Sequence, residues 1–570
     1  MEKYLEHQSC VVQLFYGLHR KVPRNEFMRK LQDTIVSLKK IIFETNNGQI
    51  QKLHFDILCN LFTMIAYTRD IYGGLGERDL TYAMLFIWNY HFPVPTANAI
   101  YMMVHPLDNN PPYGSWKDIP NICNYVRCYS EKKEKDLLID TCVGLMNHQL
   151  DEDAKTWDKL LDNCEGDGIH PSKIHPRDYG ISLVAKWIPR EGSSNNWLFD
   201  RLSLQWIKKF KPHYFQYTKD NAETFEKAFR KGKKEYRCIF SRLTKIWNVL
   251  ERQQCLQEWN RIDPANIPMV ATNKQTLALL NVGLNGKTRR KTYTDKDRLI
   301  CAEKAKKYWQ TPKLNTNPIF MNVGSLMKQA ERSVHDRERQ RIQNGWNIML
   351  NQTPILDNMV SILDLSLFPN ESFYSALGLS MMLSLKSNVF SSRKRLLAID
   401  DTSHFITLNE NETMFEMLEK LKPIYREHHM KPSMIEFVSH MVSIIKETEM
   451  TEESVSKMTW VLFSDRSYEE LKELYKTIVI EFEKEKIYQV PRLVFWNFGS
   501  NFSTVEKDDM FYIPKTILLS GDTNQHLIRL SQVSDVVWEK ATPYNFINHV
   551  LKQPRYEAIQ NHFSKLLQKK

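Results

Sequence analysis

A chain of 570 residues with 42% hydrophobic and 25% charged side chains can bury a sizeable core, which excludes a disordered tail, and 19 glycines with 23 prolines exclude collagen-like or low-complexity architecture. Nine cysteines, none in a CxxC pair and all before residue 302, exclude a readable zinc finger or secreted disulfide framework, and the opening MEKYLEHQSCVVQ lacks a signal-peptide pattern, so a cytoplasmic, reducing compartment is expected. The formal net charge of +11 is concentrated: residues 201–350 hold 31 Lys and Arg against 13 Asp and Glu, whereas residues 401–550 hold 16 against 24.

Taken in chain order, apolar residues at three- and four-residue spacing predict helices over 27–43, 53–67, 80–88, 136–150, 156–162, 181–187, 198–209, 237–258 and 273–280. Residues 80–107 contain no Asp, Glu, Lys or Arg, yet Asn89, His91, Pro93, Pro95, Asn98 and His105 interrupt them, so two helices joined by a proline turn are expected and no membrane span. Residues 1–310 thus read as a helical repeat domain without a strict period, and 311–354 as a basic, polar connector. From about 355 the texture changes. Strands are predicted over 359–363, 395–399, 460–463, 493–496 and 516–519, alternating with helices over 373–385, 413–425, 433–445, 468–484 and 526–533. That alternation marks an open, mostly parallel α/β domain over 355–542, followed by a helical tail over 543–570.

The basic block is clustered and interleaved with rings. Lys208, Lys209 and Lys211 precede His213, Tyr214, Phe215 and Tyr217; Arg230, Lys231, Lys233, Lys234 and Arg237 surround Tyr236; Lys287, Arg289, Arg290, Lys291, Lys296 and Arg298 surround Tyr293. Cations that neutralise phosphates beside rings on which bases stack are the ingredients of single-stranded RNA binding. The competing reading is a set of solvated helix faces.

The helical half resembles the TROVE module of Ro autoantigen-like RNA-binding proteins, and most of all their branch in plants, fungi, nematodes and large DNA viruses. The stretches that carry this are Tyr67-Thr68-Arg69-Asp70-Ile71-Tyr72-Gly73-Gly74-Leu75-Gly76-Glu77-Arg78 and Tyr113-Gly114-Ser115-Trp116-Lys117-Asp118, then Ser182 to Pro189 and Glu258 to Asp263. The second half is similar to the von Willebrand A domain that follows in that family, through Phe463-Ser464-Asp465, Val494-Phe495-Trp496-Asn497 and Leu518-Leu519-Ser520-Gly521. The resemblance implies HEAT-like helical repeats bound to structured RNA in a ribonucleoprotein, with a viral origin among those it allows. It also implies a Mg²⁺ site built on Asp-x-Ser-x-Ser. Asp364, Ser366 and Asp465 match that site, but Phe368 stands where the second Ser belongs and only Ser433 lies near the Thr position. The expectation is therefore a decayed ion site, with no cofactor. Asp400-Asp401-Thr402-Ser403-His404 is the rival alignment.

Two further readings stay open. Arg69, Arg78 and the glycine turn between them form either a phosphate cradle or an interhelical lock. The acidic von Willebrand A-like half either accompanies RNA binding or makes the chain an adaptor for protein partners. No GxSxG, HExxH or P-loop is present, so no catalytic activity is expected; a nuclease using Asp400 or Asp364 is the third and weakest reading.

Overall fold

The computed structural model describes residues 2–568 apart from 20, 107–109, 134–135, 168–175, 216–221, 248, 268, 284–295, 311–321, 334–335, 369–370, 389–393, 401–402, 428–432 and 500–512. It has a helical N-terminal half followed by a mixed α/β sheet domain. In chain order the helices of the first half are α1 (Glu2–Tyr16), α2 (Arg24–Glu44), α3 (Gly48–Arg69), α4 (Asp79–His91), α5 (Pro93–Val104), α6 (Asp118–Tyr129), α7 (Leu137–Asp167), α8 (Val184–Trp187), α9 (Asn196–Phe210), α10 (Ala222–Ile246), α11 (Leu250–Cys255), α12 (Met269–Leu279) and α13 (Lys296–Gln310). Local chemistry sets several boundaries: Asn47 Oδ1 accepts from Gln49 and Ile50 N–H to open α3, and Pro93 sits in the first turn of α5. The charge-free segment is thus the expected pair of helices, and no helix among the described residues is long and apolar enough to cross a membrane.

The chain divides into two compact units, and the division differs from the boundaries read in the sequence. One unit is Met1–Thr81, Asp263–Thr294 and Ala302–Lys570; the other is Tyr82–Ile262 with Asp295–Cys301. Residues 1–310 are therefore not one body. In the second unit α6 packs on α7, α7 on α9, and α9 on α10. The helices expected over 136–150 and 156–162 are the single helix α7, and α10 begins well before residue 237, with Phe225 and Phe229 already placing apolar residues at four-residue spacing in its charged first turns.

The first unit contains the sheet. Its further elements are α14 (Val323–Arg332), α15 (Asp336–Gln352), β1 (Met359–Asp364), α16 (Glu371–Lys386), β2 (Lys394–Ile399), β3 (Ser403–Leu408), α17 (Met414–Glu427), α18 (Met434–Glu447), α19 (Glu452–Lys457), β4 (Thr459–Ser464), α20 (Tyr468–Lys484), β5 (Arg492–Asn497), β6 (Thr516–Ser520), α21 (Gln525–Ser531), α22 (Asp535–Glu539), α23 (Pro543–Leu551) and α24 (Pro554–Gln568). Strand order is β3-β2-β1-β4-β5-β6, with β3 antiparallel to β2 and every other pair parallel. Strands β1, β4, β5 and β6 are buried along their whole length, as a sheet covered on both faces requires. Ser361 Oγ donates to Ser380 O of α16 on one face, while Trp460 packs on Phe437 of α18 and Phe482 of α20 on the other. The five predicted strands are all present; β3 is the one the sequence reading missed.

The connector and the tail are corrected. Helix α14, inside 311–354, packs on α16. The closing helices belong to the core: Phe563 stacks on Phe62 of α3 at 4.2 Å between centroids, and Arg555 grips Asp70 through Nε at 2.9 Å and an Nη at 2.7 Å. A bidentate pair on a carboxylate with no solvent exposure is a strong anchor. The turn 69–78 is accordingly a lock, but between α3 and α24 rather than between neighbouring repeats.

Candidate functional site

The basic residues separate into two classes. In the helical unit, Lys208 and Lys209 are exposed in the last turn of α9, and Lys231 and Lys234 are exposed on α10. None of these four makes an ion pair with a described residue. Helices α9 and α10 touch within one residue of Lys208 and Lys231, because Gly232 lies against Ile207, where an added Cβ would stand 2.4 Å from Cδ1. The other four cations are paired. Lys211 Nζ is 2.8 Å from Glu235, Arg230 is 2.5 Å from Glu226, Lys233 meets Asp200, and Arg237 meets Glu191. All these carboxylates belong to the helical unit itself, not to the acidic C-terminal half.

Tyr236 is corrected. It is fully buried among Phe199, Trp206 and Phe240, and its Oη donates to Asn147 Oδ1 at 2.9 Å, so it is a core residue and no platform for a base. Burial pushes its phenol pKa up. The accessible rings follow α9 instead: His213 is exposed, and Phe215 stacks at 4.8 Å on Phe225, itself 36% exposed. Lys287, Arg289, Arg290, Lys291 and Tyr293 lie outside the described residues.

The second candidate is the carboxyl edge of the sheet, where ligands of such sheets bind. Asp364 ends β1 and is fully buried. Its Oδ1 accepts from Ser366 N–H at 3.1 Å and Ser366 Oγ at 2.6 Å, and its Oδ2 accepts from Ser464 Oγ at 2.8 Å. Arg466 places its Nε 3.4 Å from the same Oδ2. Asp364 and Ser366 are thus together, as their spacing implied, but a guanidinium stands where an ion would need open carboxylate oxygens. Phe368 packs on Phe373 and Tyr425, both at 5.2 Å, and Ser433 Oγ caps α18. The donor set does not fit Mg²⁺, which demands several oxygens in octahedral array, and no group of three or more His, Cys, Asp or Glu among the described residues is arranged to hold a metal. Asp400 also fails as the alternative: it follows β2 and its Oδ1 lies 3.3 Å from His404 Nε2 of β3, while Asp401 and Thr402 lie outside the described residues. Sequence reasoning overlooked Arg466 because the ion-site pattern names only carboxylates and hydroxyls.

Beside this filled crevice, beyond the ends of β5 and β6, a cavity of about 220 Å³ opens. Asn497, Phe498, Gly521 and Asp522 contribute from the strand ends, Ser372 and Ser375 from α16, and Gly324, Ser325 and Lys328 from α14. His19, Lys21 and Glu77 close it from the segments after α1 and α3. No motif pointed to this site.

Residues 360–542 match a family model described as a domain of unknown function (DUF7788). No curated protein and no solved structure matches the chain.

Proposed function

We propose that the chain is a non-catalytic RNA-binding protein of the cytoplasm, possessing a TROVE-like, HEAT-repeat helical scaffold and a von Willebrand A-like domain whose ion site has been lost. The observation that carries this reading is the set of exposed lysines 208, 209, 231 and 234, without ion pairs among the described residues, where α9 meets α10. Phosphates supply affinity at such a surface, and the neighbouring His213, Phe215 and Phe225 favour unpaired bases, as at the single-stranded ends or loops of a structured RNA, over duplex. With four phosphate contacts and a slope near −0.7 per contact, affinity for a single-stranded RNA falls about 50-fold between roughly 50 and 200 mM salt. Filter binding with Lys208, Lys209, Lys231 and Lys234 changed to Glu tests it. The variant loses both affinity and salt slope; an unchanged slope refutes the assignment.

The Asp364–Arg466 pair favours a second reading, an adaptor that binds protein partners through residues 355–542 without an ion. RNase-resistant co-purification of one partner, abolished by deleting those residues, supports the adaptor over RNA binding.

A further inference from the structure

His19, on the wall of the cavity beyond β5 and β6, has a buried ring nitrogen that the described fold leaves unused. His19 is 4% exposed, and its Nδ1 accepts from Lys21 N–H at 3.2 Å. In the neutral ring the proton therefore sits on Nε2, and Nε2 has no hydrogen-bond partner among the described residues. A buried N–H without an acceptor costs about 1–3 kcal/mol, so it ordinarily marks a position where an acceptor arrives. Burial, with the Lys21 ammonium next in effect, lowers the His19 pKa to about 4, so the ring is neutral near pH 7.

The surroundings indicate which acceptor. Lys21 and Lys328, two cationic residues, line the cavity. The first turn of α14 faces it, with Asn322 Oδ1 accepting from Ser325 N–H at 2.7 Å, and a helix of ten residues presents its positive end there. On the other side, Asp522 accepts from Asn322 Nδ2 at 2.9 Å and from Ser375 Oγ at 3.4 Å, and it stands with Glu77 as an acceptor for hydroxyl groups. The volume exceeds what a lone oxyanion fills.

We infer that this cavity binds the phosphate monoester of a small hydroxylated molecule, with His19 Nε2–H, Lys21 and Lys328 on the phosphate and Asp522 and Glu77 on the hydroxyls. The inference is independent of RNA binding, because the site belongs to the unit that contains the sheet.

Calorimetry and thermal shift on the full chain, with ribose 5-phosphate, inorganic phosphate and ribose as probes, test it. Ribose 5-phosphate binds and raises the melting temperature, inorganic phosphate binds about tenfold more weakly, and ribose gives no signal. Lys21→Ala and Lys328→Met each weaken ribose 5-phosphate binding about tenfold, the loss of one charge-assisted contact. His19→Leu weakens it further; since that residue is buried and the variant can fail to fold, the lysine variants carry the test alone. Equal affinity for phosphate and its ester, binding of ribose as strong as of its phosphate, no binding of any probe, or wild-type affinity in both lysine variants overturns the inference.

Discussion

Arg466 Nε and Asp364 Oδ2 meet 3.4 Å apart at the carboxyl edge of β1 and β4, the guanidinium 8% exposed and the carboxylate not at all. An arginine cannot lose its charge in a protein, so it holds this buried carboxylate as a permanent internal counter-ion.

Removing the counter-ion leaves Asp364 with neutral donors only. Arg466→Ala should destabilise the chain by about 3 kcal/mol, the low end for breaking a buried pair, because Ser366 and Ser464 still donate. Urea unfolding followed by tryptophan fluorescence measures this. In the same assay the unmodified chain should unfold identically in Mg²⁺ and in EDTA.

Tyr236 separates stability from binding. Tyr236→Phe deletes the donor to Asn147 Oδ1 inside the α7–α9–α10 core, at about 1–2 kcal/mol. RNA affinity should not change, because the ring faces only protein. A loss of affinity with unchanged melting would return Tyr236 to the surface role its neighbours in sequence suggest.

The turn after α3 offers a contrast between two glycines separated by Leu75. At Gly74 an added Cβ would stand 2.0 Å from Tyr67 O and 2.8 Å from Asp70 Cβ, in the turn that also presents Asp70 to Arg555. Gly74→Ala should cost about 3 kcal/mol or more. Gly76, at φ +69 with nothing near it, needs only the left-handed backbone, so Gly76→Ala should cost about 1 kcal/mol and Gly76→Asn less. Thermal melts of the three variants give the ranking.

Acid should weaken the fold before carboxylates titrate. Burial lowers His7 and His19 to about 4, and burial with Arg529 lowers His526 to about 3, while burial also lowers His105. Unfolded, each takes a proton near pH 6.5, so the unfolded state binds more protons below that pH. The stability these neutral rings contribute is complete above about pH 6.5 and is lost as pH falls towards 4, at roughly 1.4 kcal/mol per pH unit for each ring. Unfolding free energies between pH 6.5 and 5 should correspond to uptake approaching three protons or more. His526→Gln, which keeps a donor for Ser520 O, should remove about one of them.

Strand identities in the α/β half were legible because β1, β4, β5 and β6 are buried on both faces and read as short, predominantly apolar runs. Strand β3 was not: it is an edge strand with alternating exposure, and its first residues sit in a polar run that reads as a loop. Asp364 and Ser366 were legible as a local pair, since two residues of spacing bring their side chains together across one turn.

The sequence by itself determined most of the helices, all but one of the strands and where positive charge accumulates, because apolar period and composition are local properties. Only the tertiary structure decided which of those charges remain accessible. Lys233 and Arg237 are consumed by Asp200 and Glu191, residues some thirty-three to forty-six positions away, and Asp70 is claimed by Arg555 from the far end of the chain. An ion pair or a cavity wall depends on which distant segments the packing brings within a few ångströms, and no local pattern encodes that distance.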